Sequence, residues 1–143
     1  GLQGMDRFEG PFRPAPVLVV DEDAVIRDTL RTLLRSEGFV VAEATSEVDA
    51  LEYLRGALMP HVVLLDFFLP LTNRGAVLHA AEHDDTLRQH CYLLVTATDT
   101  TGLSEEEQRL IRELCVQVIP KPVDAFAILK AVANAARQLA GHR

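Results

Sequence analysis

Polar side chains stand directly behind four apolar runs of this chain. Asp21-Glu22-Asp23 follows Val17-Leu18-Val19-Val20, Asp66 follows Val62-Val63-Leu64-Leu65, Thr96 follows Tyr92 to Val95, and Lys121 follows Val116 to Ile119 and Pro120. Singly, each has an ordinary reading: an acid ahead of a helix is a cap or a dipole partner, and a Thr or Lys begins a loop. Brought to one rim they are not explained by capping, because at least three carboxylates repel one another and must be neutralised. A hard divalent cation does this. Mg2+ takes one or two carboxylates plus waters and phosphate oxygens, so it suits a site that also receives a phosphoryl group. Asp66 then serves as nucleophile, while the Thr96 hydroxyl and the Lys121 ammonium face the phosphoryl oxygens and offset their charge.

Such convergence needs elements that end at one rim. Val17 to Val20 is too short for a helix and reads as a buried strand. Ile26, Leu30, Leu33 and Leu34 form one helical stripe that Gly38 can end in the left-handed conformation. Phe39 to Ala44 reads as a second strand, Ser46 to Ala57 as a helix begun by Ser46, and Val62 to Leu65 as a third strand. A weaker helix over Arg74 to His83, a strand over Tyr92 to Val95, a capping box from Ser104 to Glu107 and a strand over Val116 to Ile119 follow. A last helix starts near Asp124 and runs almost to Gly141. Strands alternating with helices imply right-handed crossovers and a doubly wound α/β domain, a five-stranded parallel sheet with helices on both faces. Ligands of such sheets bind at the carboxyl ends of the strands, near the topological switch point.

Composition agrees with one such domain. The chain has 143 residues, 48% hydrophobic and 24% charged, and a net charge of −7 that repels nucleic-acid phosphates and anionic membranes. No nucleic-acid contact is therefore expected of this segment. No run of about 18 apolar residues and no secretory leader is present, so no membrane contact and a cytoplasmic location are expected. Cys91 and Cys115 are too far apart for a C-x-x-C motif and read as reduced, packed thiols. Residues 1–15 read as a flexible lead-in, with 1–4 resembling an expression remnant.

In order, VLVVDED at Val17 to Asp23, DFFLP at Asp66 to Pro70, Thr96-Ala97 and Lys121-Pro122 resemble the receiver domains of bacterial two-component response regulators. The resemblance covers residues 16–140 and implies one receiver domain over 16–141 with the flavodoxin-like strand order 2-1-3-4-5. It implies that Asp66 accepts a phosphoryl group from a histidine kinase or histidine phosphotransfer protein. Asp21, Glu22, Asp66 and the backbone carbonyl of Phe68 would hold Mg2+, and Thr96 and Lys121 would bind the phosphoryl oxygens. It also implies a signalling domain that catalyses only its own phosphorylation and dephosphorylation. Its switch would remodel the face of helix 4 (from Ser104), strand 5 (Val116 to Ile119) and helix 5 (from Asp124), which binds an output protein or domain or a second copy of the chain. The chain stops at Arg143; a stand-alone receiver and one excised from a longer regulator or hybrid kinase both fit.

Three positions depart from the family pattern. Val118 stands where an aromatic usually precedes the Lys by three residues. Gly75 falls five residues after Pro70 rather than four, which suggests one inserted residue ahead of the third helix. Phe68 is bulky and apolar two residues after Asp66, so slow self-dephosphorylation is expected. Two rival readings exist. Val17 to Val25 also resembles the first motif of haloacid-dehalogenase-type phosphatases, which would make Asp21 the nucleophile and Asp23 the acid/base but leaves Asp66 without a role and lacks the later acidic pair. His79-x-x-E-H to His83 matches a zinc-protease pattern without a third ligand, and a solvated helix explains it better. His61, His90 and His142 stand alone in the sequence and read as surface polarity or local hydrogen bonds.

Overall fold

Strand β1, Val17–Val20, is buried at every position, as its unbroken apolar run requires of a strand covered on both faces. It belongs to a computed structural model that describes residues 14–66, 75–96, 103–120 and 124–141. After β1 the chain forms α1 (Ala24–Ser36), β2 (Val41–Ala44), α2 (Glu47–Arg55), β3 (Val62–Asp66), α3 (Ala76–Glu82), a single helical turn (Asp85–Arg88), β4 (Cys91–Thr96), α4 (Glu105–Glu113), β5 (Gln117–Pro120) and α5 (Ala125–Gly141). The sheet is parallel throughout in the order β2-β1-β3-β4-β5, the doubly wound architecture expected from the alternation.

Side-chain alternation splits the interior into two layers. Leu18, Val63, Leu65, Tyr92 and Leu94 point to one face, where Leu54 of α2, Val77 and Leu78 of α3 and Leu110 of α4 cover them. Val17, Val19, Val62, Leu64, Leu93 and Val95 point to the other, beneath Leu34 of α1 and Ile128, Val132 and Ala136 of α5. Ala15, assigned to the lead-in by the sequence reading, is 4% exposed and packs in this second layer. Packed structure thus starts before Pro16, whose carbonyl accepts the Val62 amide at 2.9 Å.

The boundaries follow from local hydrogen bonding. Gly38, at φ 94°, and Phe39 close α1, their amides donating to the carbonyls of Arg35 at 3.0 Å and Leu34 at 3.2 Å. Those bonds occupy the Phe39 backbone, so β2 starts at Val41 rather than at Phe39. Ser46 caps α2 through the Asp49 amide, and Ser104 and Glu107 form the reciprocal capping box of α4. The helix expected to end at His83 stops at Glu82, and Asp84 caps a further turn that the sequence reading did not contain. Cys115 is not packed: it is exposed at φ 54° between α4 and β5, while Cys91 is half-buried.

Candidate functional site

In the 2-1-3-4-5 order the chain leaves β1 toward β2 on one side and returns to β3 on the other, so the crevice at their carboxyl ends is the switch point. The register that pairs Val20 with Leu65 carries one residue further to Asp21 beside Asp66. Both side chains lie on the α1/α5 face, and both line one cavity of about 80 Å³ with Val20, Leu64 and Val95. They are buried, Asp21 4% and Asp66 8% exposed.

The turn carrying the acids is braced. The Asp23 amide donates to Asp21 Oδ1 at 2.8 Å. Arg27 donates to the Asp21 carbonyl at 2.7 Å and reaches Glu43 of β2 at 3.5 Å. Asp23 itself caps α1, its carboxylate accepting the amides of Val25 at 2.9 Å and Ile26 at 3.2 Å. Its sequence position is therefore explained by the helix it starts, which removes the acid/base required by the phosphatase reading.

Glu22 is exposed at the rim and does not line the cavity. Thr96 ends β4, 3% exposed and opposite Pro120. Phe68 and Lys121 lie outside the described residues. Among the described residues no group of three His, Cys, Asp or Glu could by itself hold a metal. The donor set of the cavity nevertheless fits Mg2+, which takes one or two carboxylates and fills its octahedron with water and phosphate oxygens.

The zinc reading does not survive the geometry. Glu82 is bonded by Arg109 of α4 at 3.1 Å, which holds its carboxyl down to about 2, and Arg109 also bonds Glu106 at 2.7 Å. His83 is exposed, and His79 faces Glu106 at 3.8 Å. The same contacts tie α4 to α3.

Two histidines that stand alone in the sequence meet in the fold. The His61 amide donates to His90 Nδ1 at 2.9 Å, at the amino ends of β3 and β4. His61 Nδ1–H donates to the Met59 carbonyl at 2.8 Å, which leaves Nε2 to accept the Tyr53 hydroxyl at 2.9 Å. Both are buried, contrary to the surface reading. Glu47 was missed altogether: it is 1% exposed at the start of α2 and bonds the first amides of α3. No sequence signal marks it, because an acid in a helix's first turn is ordinary.

Residues 17–133 match the model of the response regulator receiver domain family. The chain is 40% identical over 65 residues to the alkaline phosphatase synthesis transcriptional regulatory protein SphR of Synechococcus elongatus, covering 40% of this chain and 25% of that protein. It is 36% identical over 90 residues to the DNA-binding response regulator MtrA of Mycobacterium tuberculosis, covering 61% of this chain and 37% of that protein. The matches thus span only 25% and 37% of those relatives' lengths. Among solved structures, a response regulator receiver domain protein from Clostridium thermocellum superposes with a TM-score of 0.75 at 20% identity, over 90% of this chain and 99% of that one. The chemotaxis protein CheY4 of Vibrio cholerae does so with a TM-score of 0.69 at 21% identity, over 85% of this chain and 98% of that one. These structural likenesses show the fold.

Proposed function

The chain belongs to the response regulator receiver domain family, and on that premise we propose that Asp66 is its phosphoacceptor. The observation that carries the reading is the pairing of Asp66 with Asp21 in one buried cavity at the switch point of the sheet. A receiver is a signalling domain rather than a metabolic enzyme, and its chemistry is one transfer. A carboxylate oxygen of Asp66 bonds to phosphorus as the phosphorus–nitrogen bond of a donor phosphohistidine breaks, leaving an acyl phosphate and the donor imidazole. Asp21 and Asp66, with Glu22 from the rim and the Phe68 carbonyl, would hold Mg2+, which would supply charge neutralisation between the acids and the incoming phosphoryl oxygens. Thr96 and Lys121 would bind those oxygens. Phe68, two residues after Asp66 in the sequence, would slow hydrolysis by limiting water.

The partners follow from the same reading: a histidine kinase or histidine phosphotransfer protein as donor, and an output protein or domain, or a second copy, on the face of α4, β5 and α5. Val118 of β5 is half-buried against the α4 side of the core, so the readout there uses an aliphatic rather than an aromatic side chain. No described helix is long and apolar enough to cross a membrane. A cytoplasmic location, where a kinase would meet this domain, is part of the proposal. So is a single receiver domain over 16–141, to which Ala15 adds one packed residue.

The test is incubation with acetyl phosphate and Mg2+ followed by intact-mass measurement. The wild type is expected to gain one phosphoryl group and Asp66→Asn none. Uptake by Asp66→Asn, or repeated turnover of the donor that is lost in Asp21→Asn and kept in Asp66→Asn, overturns the reading in favour of a phosphatase.

A further inference from the structure

Glu82 is the last residue of α3, an end whose dipole disfavours a carboxylate. Another helix explains its place. Arg109 of α4 bonds Glu82 Oε1 through Nη2 at 3.1 Å and Oε2 through Nη1, a forked pairing across 27 positions of sequence. Two carboxylates of α4 itself aim the guanidinium: Glu106 accepts from Nε at 2.8 Å and from Nη2 at 2.7 Å, and Glu113 lies 3.2 Å from Nη1. Glu82 is fixed in turn by a second arginine, because Arg88 of the following helical turn donates to its carbonyl at 3.0 Å. Isolated surface ion pairs contribute little to stability, but a forked pair inside a network of charges is the kind that does contribute.

The apolar seat of α4 is small. Within this helix Glu107 and Leu110 are buried, whereas α5 buries Ile128, Ala131, Val132, Ala135 and Ala136. Ile111 and Leu114 are only partly buried against the layer that holds Leu110. The buried acid of α4 also meets like charge. Burial pushes the Glu47 carboxyl of α2 up, and the Glu107 charge adds to that rise, against the Val77 and Gly75 amides and His79 that lower it. Little apolar burial therefore secures α4, while its ionic tie to α3, with Arg109 35% exposed, lies within reach of salt.

We propose that Arg109 and Glu82 form an ionic latch that holds α4 on α3, and that breaking the latch lets α4 open as a unit while the rest of the domain stays folded. The opening uncovers Leu110 with Ile111 and Leu114 beside it. The latch belongs to α3 and α4 alone and holds whether or not Asp66 takes up phosphate; it bears on the output face because α4 is one of the three elements of that face.

The experiment is amide hydrogen exchange on the full chain without a phosphoryl donor, in low salt and in about 1 M NaCl, where exposed charges are screened beyond about 3 Å. Arg109→Gln is expected to speed exchange of the α4 amides from Gln108 to Leu114 about fivefold in low salt and to leave the α5 amides unchanged. Glu82→Gln is expected to do the same, and the double variant little more than either, since both changes break one pair. Arg109→Lys keeps the charge without the fork and is expected to fall between wild type and Arg109→Gln. High salt should bring wild-type α4 exchange close to that of Arg109→Gln, which itself should speed up no further. If Arg109→Gln does not fold, Glu82→Gln and Arg109→Lys carry the comparison. Arg31→Gln, which breaks the 2.8 Å pair between α1 and Glu43 of β2, is the control. Unchanged α4 exchange in Arg109→Gln, independent effects that multiply in the double variant, equal acceleration of α4 and α5, or the same α4 acceleration in Arg31→Gln each overturns the proposal.

Discussion

Both ends of the sheet bury polar side chains, but of opposite kinds. At the carboxyl ends lie Asp21, Asp66 and Thr96; at the amino ends lie His61, His90 and Tyr92, all below a tenth exposed. The amino-end groups are neutral and answer one another in a line: Tyr53 hydroxyl to His61, His61 amide to His90, with the Tyr92 hydroxyl donating to the Leu87 carbonyl at 2.7 Å. Their rings meet edge to face at centroid distances of 5.3, 5.6 and 6.4 Å. The carboxyl-end pair instead sets two carboxyl groups in one cavity, an arrangement suited to a cation or a transferred group. Burial alone therefore does not mark a site. Two carboxyl groups converging at a switch point mark a candidate site, whereas neutral groups that bond one another mark structure, even though His90 Nε2 has no hydrogen-bond partner.

The largest expected effects separate the two ends. Asp66→Asn should abolish phosphoryl uptake while the protein stays folded. His90→Ala should do the reverse, because it leaves a cavity and strips the buried His61 amide of its acceptor. A loss of about 2–4 kcal/mol is expected from urea unfolding, with phosphorylation of the folded protein retained. Lost uptake in a fully folded His90→Ala would break the comparison by showing that the amino end serves the chemistry.

The next effect is on pH. Burial, and then the neighbouring His61, pushes the His90 imidazole from its ordinary 6.5 down to about 4, with the Leu54 backbone opposing weakly. The folded state prefers the neutral ring, so this contribution is complete above about pH 6.5 and is lost as pH falls toward 4. The loss amounts to at most about 3 kcal/mol. His61 is lowered in the same sense, chiefly by burial. His90→Asn keeps an acceptor for the His61 amide without the titration. Urea midpoints measured from pH 7 to pH 4.5 should therefore fall less steeply in that variant than in the wild type. Parallel slopes would remove His90 as the origin.

The difference between the ends also explains what could be read from the chain. Asp21, Asp66 and Thr96 were legible because each follows an apolar run, and in a parallel sheet every such run ends at the same rim. Gly38 and the Ser104/Glu107 box were legible because their chemistry is local, settled within a few residues. The His61–His90 contact and the Glu47 clamp join residues 29 and 28 positions apart in sequence, so no spacing rule announces them. The extra turn at Asp85–Arg88 is too short for periodicity, and its only sign was Asp84 as a cap. Cys115 was misplaced because a thiol's usual burial was assumed, whereas it sits where the chain turns out of α4 in the left-handed region.

Asp23 sharpens the comparison from inside the acidic end. It stands beside Asp21 in sequence, yet in kind it belongs with the histidines, since its carboxylate is taken up by the Val25 and Ile26 amides. Asp23→Ala should cost about 1 kcal/mol of stability, as for the loss of a helix N-cap, and Asp23→Ser should recover most of it because a hydroxyl still accepts from the first turn. Phosphoryl uptake at Asp66 should persist in both variants. Should uptake vanish in Asp23→Ser while its urea midpoint matches the wild type, the acid would have a chemical role that capping does not account for. The line between matched local polarity and convergent charge would then run one residue further along the chain than the hydrogen bonds place it.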